Sequence, residues 1–264
     1  MSGHEGHGGT SVGFLSPAVV ALVLAGYLVL ALGRRREPRG WSRRRVASVV
    51  AGAGLLIVAM LPPVATFAER DFRGHMLQHL LVGMVAPTAL VLGAPLTLLL
   101  RSLPTTGRRR VARLLHSRPA RVLADPWLAL VLNVGGMAAL YFTPLYGLVA
   151  SGRVPHHLVH LHFVLAGYLF AWAIAGPDPA PRRPSVRTRL VVLGVAITAH
   201  AAMAQLMYAG FLVGVRVPAA ELRGAAEIMY YGGDIAELLL ALALLSTWRP
   251  APRTARRRTA PAAT

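Results

Sequence analysis

The sequence predicts an all-α fold: a polytopic membrane helical bundle with seven transmembrane helices, N-terminus outside and C-terminus inside. Three observations predict it. Of the 264 residues, 55% are hydrophobic and only 14% charged, too apolar for an ordinary soluble chain of this length. Seven stretches each supply the ~20 apolar residues needed to cross ~30 Å of hydrocarbon as a helix. The basic residues, all 28 of them arginine, crowd alternate loops between those stretches.

In order, the expected spans are 12–32, 46–67, 76–100, 127–150, 156–175, 190–214 and 225–248. The first is followed, not preceded, by its positive charge, so it reads as a span and not as a cleavable signal peptide. The loop at 33–45 holds seven arginines and the loop at 101–126 another seven; 176–189 holds four and the segment after Trp248 five. The intervening loops hold five altogether, Arg70, Arg73, Arg153, Arg216 and Arg223, and this asymmetry sets the orientation. Trp41, Trp127, Trp172 and Trp248 mark inner helix ends, where indole prefers the interface. Pro62, Pro63, Pro87, Pro95 and Pro144 fall in or near spans and predict kinks. One domain, 12–248, is flanked by a polar extracytoplasmic segment at 1–11 and a basic cytoplasmic tail at 249–264, both read as disordered.

The formal charge of +18 does not point to nucleic acid. The arginines sit in short juxtamembrane loops, where topology and anionic membrane lipid account for them. The chain has no cysteine, which excludes disulfides and thiolate ligands. No HExxH, GxSxG, P-loop or GxGxxG motif is present, so no enzyme is indicated.

The ten histidines and eight methionines carry the functional signal, because most lie on or near the arginine-poor face. The third span begins HMLQH: His75 and His79, four apart, sit about 40° apart on one helical face, with Gln78 close by. The fifth begins HHLVHLHF, four histidines in seven residues. There His156 and His160 share a face and His157 sits beside His160. His162 points away, as expected of a histidine bonded to a neighbouring helix. In the sixth span His200 lies about 16 Å past Arg189, near mid-membrane, where an ionisable group is a functional hypothesis by default. Met203 and Met207 continue its stripe, either as soft ligands or as core filler. In the seventh, Glu227, Tyr230, Tyr231, Asp234 and Glu237 share a face, and a carboxylate at that depth needs a partner: the histidines, a bound cation, for which Asp234 is the candidate ligand, or a second, protonated carboxyl. Removal of Met1 would leave Ser2-Gly3-His4, whose amine, amides and imidazole can wrap Cu(II) in a square plane, with His7 following. A cluster of imidazole and thioether without thiolate suits copper, as Cu(I) in the bundle, because zinc and iron rarely take methionine. An ion held by imidazole predicts affinity that falls as the rings protonate near pH 6.

The stretches HMLQHLLVGMVAPTALVLGAPLTLLLRSLP and HHLVHLHFVLAGYLFAWAIAGPDP, with the later helix holding His200 and LMY, resemble the CtaG-type cytochrome c oxidase assembly factors of Gram-positive bacteria. The similarity runs over about residues 14–248. It implies a seven-helix protein of the bacterial plasma membrane that assists maturation of a haem–copper oxidase. On this resemblance the protein delivers copper to the catalytic subunit, with extracytoplasmic copper chaperones as further partners. It also implies metal roles for His75, His79, His157, His160 and His200. The seventh span, AEIMYYGGDIAELLL, departs from an Asp-Gln pair common in the family. Three other readings use the same residues: a copper uptake or resistance permease, a bis-histidine haem protein, and an intramembrane zinc hydrolase.

Overall fold

The structure, a computed structural model, describes residues 17–35, 40–152 and 154–248. The expected terminal segments, with His4 and His7, lie outside the described residues. The described residues are helical, with no strand among them.

Helix α1, Pro17–Gly33, is the first apolar segment. Helix α2, Arg43–Met60, ends at the Pro62-Pro63 pair, and α3, Val64–Arg70, resumes at an angle of 47°. Neither proline can donate a backbone hydrogen bond, so the expected 46–67 span is broken. Helix α4, Phe72–Leu92, is capped by Asp71, whose carboxylate accepts from Arg73 N at 2.8 Å. A π turn at Leu81–Val85 widens α4 just before Pro87, which lacks the donor for the Gly83 carbonyl. Gly93 and Ala94 then stop it, Ala94 adopting φ 52°, and α5, Pro95–Ser102, starts a new direction. The expected 76–100 span is therefore two helices.

Helices α6, Thr105–Leu115, and α7, Arg118–Leu123, fill the arginine-rich loop. Helix α8, Pro126–Phe142, begins with Asp125 accepting from Trp127 N and Leu128 N, and carries its own π turn at Val131–Gly135. Pro144 separates it from α9, Leu145–Ala150. The last three are continuous: α10, His156–Ala175; α11, Val186–Ala209; and α12, Ala219–Thr247. Four helices (α4, α10, α11, α12) are long and apolar enough to cross a membrane alone. The bent α2–α3 pair makes a fifth if counted as one span, and α1 and α8 are apolar but shorter.

Helices α4, α10 and α12 form the centre. Helix α12 packs along α11 and the first half of α4; α10 lies against the second half of α4 and against α8; α1 and α2 flank them. The closest approach is between α4 and α10, where a Cβ on Gly167 would sit 1.9 Å from the Gly83 carbonyl oxygen. Small residues at such crossings allow backbones to meet.

Two cores divide the bundle lengthwise. At one end, Phe72, Met76, Tyr141, Phe163, Met203, Met207 and Met229 pack together. At the other, Val91, Leu130, Ile174, Val192, Leu193 and Leu244 do so. The second end carries the arginine-rich loops. There the buried Asp178 caps α5, accepting from Leu96 N, Thr97 N and Thr97 Oγ1. Arg189 donates to Ile174 O at 2.8 Å, covering a terminal carbonyl of α10.

Candidate metal-binding site at the histidine end

The first half of α4 presents His75, Gln78 and His79 on its buried face, each under 9% exposed. Gln78 reaches α2 and α10, while His75 and His79 lie against aromatic rings of α8, α9 and α10. His75 is held by aromatic rings: Phe72 stacks on it at 5.6 Å, Tyr146 stands edge-on at 5.3 Å, and its Nε2 lies 3.2 Å from the Tyr141 hydroxyl.

From α10, His156 and His160 face this group. Their ring centroids are 4.4 Å apart, and His156 lies 6.2 Å from His75. Gln78 orients His160. Its Nε2 donates to Ala59 O at 2.7 Å, so its Oε1 is left to accept from His160 Nε2 at 3.1 Å. That hydrogen bond places the His160 proton on Nε2 and leaves Nδ1 with a free lone pair.

One turn deeper, His79 is packed edge-on against Phe163 at 4.5 Å and Tyr141 at 5.9 Å. Its Nδ1 is buried without a hydrogen-bond partner. His200 of α11 is buried against α12. His200 Nδ1 lies 3.3 Å from Glu237 Oε1, and with the carboxylate as acceptor Nδ1 is the protonated nitrogen. Its Nε2 is then a buried lone pair without a partner. Gly233 makes this possible: a Cβ there would sit 2.5 Å from His200 Cε1. A carboxylate bonded to the back of a histidine whose front nitrogen is free is the arrangement that orients metal-ligating histidines. The other Glu237 oxygen, Oε2, has no partner either. Glu237 also lines a small space of about 20 Å³ with Met84, Thr88 and Asn133, between the two π turns.

The structure distributes the remaining expected residues differently. His157 makes no hydrogen bond or ring contact with the cluster; its neighbour His156 occupies the inward direction, a rotation of about 100°. Asp234 is half-buried and makes no ion pair with His200, because Glu237, one turn on, takes that position. Met203 and Met207 are buried in the thioether-rich core around the site, packed with Met76, Met137 and Met229. His162 turns away as expected, its Nε2 meeting Leu132 O at 3.2 Å over Gly136. Tyr141 and Glu237 matter more than their sequence context signals. Tyr141 reads as a helix-end aromatic but is fully buried against three site rings. Among the described residues no three His, Asp or Glu side chains are gathered closely enough to hold a metal ion by themselves. What the residues do offer is an outer imidazole pair, His156 and His160, and two deeper imidazoles, His79 and His200, with thioethers around them.

No solved structure matches the chain. Uncharacterized proteins of Mycobacterium bovis and Mycobacterium tuberculosis are each 32% identical over 256 residues, and one of Mycobacterium leprae is 30% identical over 248. These alignments cover 86% of this chain but only 38% of each relative, so the chain spans well under half the length of the proteins it resembles. Residues 25–251, which include every helix of the site, match the family described as cytochrome c oxidase caa3 assembly factor, and the chain belongs to that family.

Proposed function

We propose that the protein is a membrane factor that holds a cuprous ion at its histidine end and passes it to the catalytic subunit of a haem–copper oxidase during assembly. The observation that carries this reading is the pair of buried imidazole nitrogens without partners, His79 Nδ1 and His200 Nε2, the latter backed by Glu237. Burying a lone pair without a donor is costly, and a cation is a partner that such a nitrogen can take. Two imidazoles suffice for Cu(I), which accepts low coordination, whereas zinc would want four ligands. The outer pair, His156 and His160 with His75, forms an entry station above the inner one. Helices α1, α2–α3, α4, α8, α10, α11 and α12 are the seven spans of this reading, with the histidine end extracytoplasmic and the arginine-rich end cytoplasmic.

The other uses of the same residues fit less well. A permease needs a polar route onward, but the core at the arginine end is built of Ala, Val, Leu and Ile. A haem needs a slot many times the size of the 20 Å³ space beside Glu237. The test is Cu(I) binding by the full chain in detergent, read by competition with a chromogenic cuprous chelator. One tightly held ion is expected, lost in a His79→Ala, His200→Ala double variant. Undiminished binding by that variant would remove the proposal.

A further inference from the structure

The outward-facing groove between α11 and α12 carries polar chemistry that the metal site does not use. It is an open hollow of about 220 Å³ lined by Gln205 and Tyr208 of α11 and by Glu227, Tyr230 and Tyr231 of α12. Tyr208 and Tyr231 are 49% and 66% exposed, and Arg223 lies over the Tyr208 ring at 5.8 Å, covering one end. One turn further along α12 comes Asp234, half-buried, with no hydrogen bond or ion pair to it among the described residues.

Depth makes Asp234 informative. It is the sixteenth of 29 residues in α12. A helix of that length spans ~43 Å against a hydrocarbon core of ~30 Å, so any upright placement leaves Asp234 about 7 Å or more from either edge. A carboxylate at that depth on an outward flank is expensive unless a partner meets it. Beside it, α11 presents Gly194, Thr198, Ala202 and Gln205 on one outward face. Nothing lies within 4 Å of the position a Gly194 Cβ would take, and the Thr198 hydroxyl is already spent on Gly194 O. Small residues at this spacing let another helix backbone approach closely.

We infer that this groove docks a transmembrane helix of the oxidase under assembly, one that brings a cationic or hydrogen-bond-donating side chain to Asp234. The inference rests on membership of the assembly-factor family and not on copper. Charge complementarity selects the partner. A second copy of this chain, related by a two-fold axis along the membrane normal, would set Asp234 against Asp234 at the same depth, which is repulsive. A helix with a basic, imidazole, amide or hydroxyl group satisfies the carboxylate and lies along the small-residue face.

The test places a photoreactive phenylalanine analogue at Gln205 of the full chain, in cells making the oxidase, with the same analogue at the 68% exposed Val23 of α1 as control. Expected is an adduct with an oxidase subunit from position 205, at least tenfold above that from position 23. Asp234→Leu should abolish it and Asp234→Asn retain it. Leucine suits a lipid-facing position, and an unchanged thermal unfolding midpoint of Asp234→Leu in detergent checks that the bundle is intact. An adduct containing two copies of this chain, equal yields from both positions, or a full yield in Asp234→Leu would each overturn the inference. Co-purification of the wild-type chain with the oxidase but no adduct at 205 overturns the groove alone. Failure to co-purify overturns the groove and the assembly contact together.

Discussion

The two ends of the bundle both bury polar side chains, but they leave different atoms over. At the arginine end Asp178 has both oxygens engaged by α5, and the unpartnered atom there is Arg189 Nε, a donor. Toward the histidine end the unpartnered atoms are His79 Nδ1, His200 Nε2 and Glu237 Oε2. With His200 Nδ1 donating to Glu237, His200 Nε2 and Glu237 Oε2 are acceptors that lack a donor or cation. The arginine end is finished as folded, and its polar groups serve as helix caps. The histidine end leaves buried imidazole and carboxylate atoms without partners.

Mutations should separate the ends by what they change. The largest effect expected is on metal affinity: His79→Ala with His200→Ala should weaken Cu(I) binding by more than about a hundredfold, since loss of an outer-shell partner alone costs 10–100-fold. Thermal stability in detergent should hardly fall, and a large fall in stability instead would make the pair structural. Next, Glu237→Ala should cost about 10–100-fold in Cu(I) affinity by releasing the His200 ring, while Glu237→Gln, which can still accept from Nδ1, should cost less. Equal losses in both would show that the carboxylate charge and not ring orientation is what counts. At the other end, Asp178→Ala strips three hydrogen bonds from the start of α5 and should lower unfolding stability by about 2–4 kcal/mol with Cu(I) affinity unchanged. Gly167→Ala, at the crossing the two ends share, should cost about 1–3 kcal/mol, because α10 must move off the Gly83 carbonyl.

The smallest effect concerns the exposed cap of α4. The hydrogen bond from Arg73 holds the Asp71 carboxyl below the usual carboxylate range. Its contribution is therefore present above the unfolded-state value and lost only as pH falls through the lower folded one. Asp71→Asn should flatten that acid-side loss, seen as a slightly less pH-dependent unfolding midpoint below about pH 4.

The lengths of the apolar stretches made the helical segments legible. The breaks were harder. Pro62-Pro63 ends α2, whereas Pro87 is absorbed by a π turn, and proline alone does not say which will happen. Helical phase foretold that His75 and His79 share a face and that His162 turns away. It could not choose between His156 and His157, 100° apart, since the choice depends on where α4 lies. The same limit applies to Asp234 and Glu237. The deciding signal was Gly233, whose missing side chain admits the His200 ring beside Glu237.

Gln78 has one further consequence. An amide has two unlike ends, and here the nitrogen end is claimed by the last turn of α2 at Ala59. The backbone of one peripheral helix thereby decides which face of an imidazole two helices away is chemically open. Loss of the Ala59 contact would let the amide reverse, so that it donates to His160 Nε2 and moves the ring proton to Nδ1 without displacing His160 itself.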